Sequence, residues 1–234
     1  MRYGTGVIDA TFGMGIYTAP EAARMVGMRP ATLRRWLLGY AHDVKHEAPL
    51  WRPQYQSDGD DGVLLGFRDL IEARIVNALR AKGIGLPTIR VCLDRARAII
   101  GQDHPFSTRQ FRTDGKTIFL AITDGLEEAQ LIDLKRRQGV FNRVVAPSLE
   151  DLDFGADGVQ RWWLLHGKRS IVADPTRSFG QPIVADHGMT TARVAEAVEA
   201  EGSVAKVAKL YDLKPRWVRD ALSFESMLEV RRAA

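Results

Sequence analysis

The chain has one cysteine, Cys92, which excludes an internal disulfide and any multi-cysteine metal cluster. Long hydrophobic runs are missing as well. No apolar stretch approaches the roughly 18 residues of a membrane span, and no charged start leads into an apolar segment at the N-terminus. The expectation is a cytoplasmic protein with no membrane partner. Neither sign of charge dominates, since 33 Lys and Arg stand against 29 Asp and Glu for a net charge of +4. That balance permits a polyanionic partner without identifying one.

Candidates for catalysis are equally sparse. Of five histidines, His42 and His46 stand four apart, a spacing that could hold a metal on a helix, but no third ligand lies nearby and the segment runs into Pro49. Asp58, Asp60 and Asp61 alternate with glycine as in a solvated turn. The "GTG" at residues 4 to 6 does not match a phosphate-binding loop. Cys92 falls beside the apolar face of a helix and reads as a core or semi-exposed thiol. The chain is therefore expected to be no enzyme and to need no cofactor.

What is present is a repeated helical pattern. Thr18 and Glu21 form a T-x-x-E capping box, and Ala19, Ala22, Ala23 and Val26 then follow at helical spacing. Gly27 can end that helix, and Pro30 suits the first turn of the next, where Leu33, Trp36 and Leu37 make the buried face. The stretch "SVAKVAKLYDLKPRWVRDAL" aligns with "TAPEAARMVGMRPATLRRWL" without a gap, placing Ser203 on Thr18, Leu213 on Met28, Pro215 on Pro30 and Arg219 on Arg34. Both have what a helix-turn-helix needs: a cap, a small residue where the helices cross, an apolar turn residue and a proline-started second helix. In the first unit Arg29, Thr32, Arg34 and Arg35 are the exposed donors expected at DNA, with no acid among them. In the second the corresponding surface is Lys214, Arg216, Trp217 and Arg219, open to DNA or to a protein partner. Packing units that touch no nucleic acid are the bland alternative for both.

Between the two units, helices are expected at about 69 to 82 and 86 to 100, and Leu50-Trp51 with Val63 to Leu65 as a small hairpin wing. Asp114-Gly115 between β-prone runs predicts another hairpin, and "VQRWWLLHGKRSIVAD" predicts a third with its bend at His166-Gly167-Lys168. The basic run Lys135, Arg136, Arg137 and Arg143 is a solvated patch or a contact with an acidic partner. The predicted organisation is α+β and mainly α. Residues 1–16 form a flexible lead-in, 17–102 a winged helix-turn-helix, 103–173 a β-rich middle and 174–234 a helical domain with the second helix-turn-helix-like unit.

Residues 17 to 100 resemble the MerR-type winged-helix DNA-binding domain, through "EAARMVGMRPATLRRW" and "FRDLIEARIVNALRAKGIGLPTIR". They depart from it at the wing, whose arginines are represented mainly by Arg52 and Arg68, and in having no long dimerising coiled coil. Residues 174 to 222 resemble a small helical domain family of unknown function that is often encoded beside a PIN-like ribonuclease toxin. Together the parts look like the larger VapB-type antitoxins of bacterial VapBC modules. The resemblance implies a protein that neutralises a PIN-like ribonuclease toxin and represses its own operon, with operator DNA and the toxin as partners and a homodimer as the working form. Arg52 would join the DNA-contacting residues. The alternative is a stand-alone transcription regulator whose C-terminal part senses a ligand or drives oligomerisation.

Overall fold

Capping chemistry fixes where the first helix begins in the computed structural model, which describes residues 14–42, 45–55, 62–115 and 144–233. Helix α1 (Ala19–Val26) starts as the capping box requires: Thr18 Oγ1 accepts from the Glu21 backbone N–H at 3.4 Å, and the Glu21 carboxylate accepts from the Thr18 N–H at 2.8 Å. Gly27 ends it at φ +79°, a left-handed conformation that costs glycine little. Helix α2 (Pro30–Leu38) follows and buries Leu33, Trp36 and Leu37. The helix, tight turn and helix expected from the sequence are all in place.

The wing lies elsewhere than expected. The hairpin pairs β1 (Tyr40–His42) with β2 (Lys45–Glu47) in antiparallel register, Ala41 opposite His46. His42 and His46 therefore sit on paired strands and not four apart on a helix. Gly39 at φ +71° makes the sharp exit from α2; a β-carbon there would stand 2.2 Å from the Glu47 carbonyl oxygen. Leu50 and Trp51, expected in the hairpin, are buried instead at 2% exposure each. The Leu50 N–H donates to the Trp36 carbonyl at 2.7 Å, and Arg90 binds the carbonyls of Ala48 and Pro49, so this segment is held against helices and has no free edge for a strand.

Helices α3 (Phe67–Ala81) and α4 (Leu86–Ile100) match the expected periodicity, with Ile71, Ile75, Leu79, Ile89, Leu93 and Ala96 buried. Cys92 is buried too, and burial pushes its thiol up to about 11, as suits a core thiol. The β-rich middle is only partly so. Residues 109–115 are helical, so the hairpin predicted at Asp114-Gly115 does not form on its first side. Thr108 Oγ1 accepts the Phe111 N–H at 3.1 Å as a helix cap would, and the Phe106 and Phe111 rings pack at 4.7 Å, both buried. Strands appear after the short helix α5 (Ala146–Glu150), beginning with β3 (Leu152–Gly155). The basic run from Lys135 to Arg143, the Asp58 to Asp61 turn and residues 1–13 of the lead-in lie outside the described residues.

Contacts gather the chain into two units, Thr18–Val159 and a second that joins Met1–Tyr17 to Gln160–Ala234. Strand β4 (Gly158–Trp163) carries the chain from one to the other. In the second unit β4, β5 (Ile171–Ala173) and β6 (Pro182–Val184) run antiparallel, Trp162 opposite Ala173 and Val172 opposite Ile183. The hairpin predicted around His166 is thus present, with Gly167 at φ +70° in its turn. Trp162 is buried; Trp163, on the opposite face, is half-buried under the Arg169 guanidinium at 4.7 Å. Helices α6 (Thr191–Glu201), α7 (Val204–Leu210) and α8 (Pro215–Ala233) pack against this sheet around Val194, Val207, Val218 and Phe224. Helix α8 runs on without a break past Phe224, which is 1% exposed and anchors it.

Candidate nucleic-acid interface

Helix α2 divides its side chains by period. Leu33, Trp36 and Leu37 face the core, while Ala31, Thr32, Arg34, Arg35 and Leu38 are exposed, as is Arg29 just before the helix. The four donors expected at DNA, Arg29, Thr32, Arg34 and Arg35, are therefore all exposed. No acid stands in either turn of α2. Arg35 lies over the Tyr40 ring at 5.2 Å, within cation–π range. Sequence reasoning missed Tyr40, because its place beside α2 depends on the hairpin. Arg52 is exposed on the segment after the hairpin, whereas Arg68 is turned away to the Asp157 carbonyl at 2.8 Å.

Around the start of α3 lies a buried polar network that no sequence signal marked. Asp69, fully buried, accepts from Trp51 Nε1 at 2.9 Å and from the N–H groups of Gln54 and Gly66, and His104 Nε2 lies 2.7 Å from its Oδ1. One carboxylate thus ties the start of α3 to the segments on either side. Glu72, one turn on, accepts the N–H groups of Phe106 and Ser107 through Oε1, while its Oε2 is buried without a partner. Burial pushes its carboxyl up to about 8, against the lowering effect of those two bonds and of Arg97. These groups are enclosed and address no open site. Among the described residues no cluster of histidine, cysteine or carboxylate could hold a metal.

The second helix pair shares the backbone bond that closes the turn of the first. The Met28 N–H reaches the Ala23 carbonyl at 2.9 Å, and the Leu213 N–H reaches the aligned Ala208 carbonyl at 2.8 Å. Asp212 takes φ +51° at the place of Gly27. Lys214, Arg216 and Arg219 are exposed and Trp217 is half-buried, with Lys214 Nζ at 4.4 Å and the Arg216 guanidinium at 5.9 Å from its ring. Asp220, the acid on this surface, binds Lys168 at 2.6 Å. Burial raises its carboxyl, but the Lys168 bond and charge outweigh that and hold it below the usual range.

Comparison with known proteins bears on each part separately and on the whole. Residues 15–93 match a family model described as "Putative DNA-binding HTH domain", and residues 171–224 one described as "Protein of unknown function (DUF433)". A protein of Mycobacterium tuberculosis (strain ATCC 25618 / H37Rv) named "Putative antitoxin VapB45" is 28% identical over 234 residues, covering 92% of this chain and 95% of its own. A crystal structure of Rv2018 from Mycobacterium tuberculosis has a TM-score of 0.74 at 27% identity, covering 91% of this chain and 99% of that one. The chain is thus similar along nearly its whole length to a protein named as an antitoxin, and its head is similar to a helix-turn-helix domain of the DNA-binding kind.

Proposed function

We propose that this chain is a type II antitoxin, a non-catalytic regulator that binds operator DNA through its head and neutralises a PIN-like ribonuclease toxin. The observation that carries the DNA half is the acid-free outward surface of α2, with Arg29, Thr32, Arg34 and Arg35 exposed together. A helix presented this way, second of a helix-turn-helix pair, has the shape and charge to enter a major groove. The MerR-like reading of the head gains support from the hairpin that follows α2 as a wing and from the two long helices after it. Arg52 belongs to the same interface in this reading.

Support for the toxin half comes from the antitoxin relative, whose name and near-complete coverage match the order of parts in this chain. A homodimer, placing two heads on two half-sites, is the form expected to bind an operator. Co-expression with the product of the adjacent small gene tests the whole reading. Growth rescue and a stable co-purifying complex are expected, and the complex should retard a duplex from upstream of the gene pair. An adjacent product that is not toxic and forms no complex would overturn the antitoxin reading and leave a stand-alone regulator.

A further inference from the structure

The second helix pair carries a basic surface of its own. The outward row of α8 is Arg216, Arg219 and Ser223 at helical spacing, all exposed, above a buried row of Val218, Ala221 and Phe224. On α7, the helix that would lie across a phosphate backbone, Lys206 and Lys209 are exposed. Lys168 takes up the negative charge of Asp220, so the face keeps its positive excess. Trp217 lies beneath Lys214 and Arg216 and holds both cations near the outer surface at a lower entropic cost than free side chains would incur.

We propose that this face, centred on Lys214, Arg216 and Arg219, is a second contact for double-stranded DNA, independent of the first. Two observations select DNA over an acidic protein surface. The helix pair aligns with that of the head without a gap and shares the backbone bond that closes the turn, from Leu213 N–H to the Ala208 carbonyl as from Met28 N–H to the Ala23 carbonyl. Two of the outward cations also occupy positions of the head's own, Lys214 standing where Arg29 does and Arg219 where Arg34 does. The inference stands whether or not the chain silences a toxin.

Titration of a fluorescent 20-base-pair duplex of arbitrary sequence by anisotropy, from 50 to 300 mM KCl, provides the test. Each phosphate neutralised contributes about 0.9 to the slope of log affinity against log salt. The full chain carrying Arg34→Ala and Arg35→Ala should keep measurable, salt-dependent binding. Adding Lys214→Ala, Arg216→Ala and Arg219→Ala should lower the slope by about 2 to 3 and weaken binding at least tenfold. An unchanged slope overturns the proposal, and the face then belongs to a protein. Should the triple variant melt early, the single Arg219→Glu, an exposed change, reads the same slope; a loss of about 1 is expected, Arg219→Lys should restore it, and no loss overturns the proposal. Failure of the head's interface would show instead in the Arg34 and Arg35 variant alone.

Discussion

At the residue scale the head holds two buried acids of opposite character. Asp69 satisfies three donors and meets His104, so Asp69→Ala strands them in an apolar interior. A loss of about 3 kcal/mol or more is expected, read as a shift in denaturant midpoint. Glu72 binds its proton more tightly in the folded state, at about 8, than in the unfolded chain at 4.5. Its contribution to stability is therefore fully present below about 4.5 and declines as pH rises towards 8. Glu72→Gln mimics the protonated acid and should flatten the fall in melting temperature between pH 5 and pH 8; a fall as steep as before would show that other groups set it. Cys92 should resist iodoacetamide in the native protein and react once unfolded, because its thiolate is both disfavoured and covered. Replacing Arg34 and Arg35 by alanine should weaken operator binding and make its salt dependence shallower. Equal affinity in an anisotropy titration would take α2 off the DNA.

At the element scale the two helix pairs solve one turn with different residues. Gly27 takes φ +79° at no steric cost, whereas Asp212 holds φ +51° with a β-carbon in place. Gly27→Ala should cost about 1 to 2 kcal/mol, while Asp212→Gly should be neutral or stabilising, a contrast that thermal melts of the two variants would reveal. Elements whose determinants are local were legible in the sequence: the capping box at Thr18, the proline start of α2, the helices over 67–81 and 86–100, and the hairpin at Gly167. The misplaced wing shows the limit. Leu50-Trp51 has strand-like composition, but the partners that claim it, the Trp36 carbonyl, Arg97 and Asp69, are distant in sequence. Asp114-Gly115 failed for a different reason, because a threonine cap and a pair of phenylalanines began a helix just before it. The candidate interface was legible wherever the helical period alone decided exposure, as at Arg34 and Arg219. The buried network around Asp69 was not, since nothing local marks an aspartate that will be buried beside a tryptophan.

At the scale of the whole molecule the chain is not strung from head to tail. Ile16 and Tyr17 precede the head in sequence yet belong to the other unit, where the Ile16 N–H donates to the Phe179 carbonyl at 2.9 Å and the Tyr17 hydroxyl donates to Gly180 at 2.8 Å. Gly180 makes room for that ring, for a β-carbon there would stand 2.2 Å from the tyrosine oxygen. The head is accordingly an insertion, entered at Thr18 and left at Val159. Tyr17 leaves the ribosome 163 residues before its partner. At ordinary synthesis rates that is a wait of roughly ten to thirty seconds, long enough for the inserted head to fold first. A nascent chain cut short before Gly180 would release Thr18–Val159 without its second unit, and on the proposed reading that fragment would carry α2 and compete with the complete protein for operator DNA.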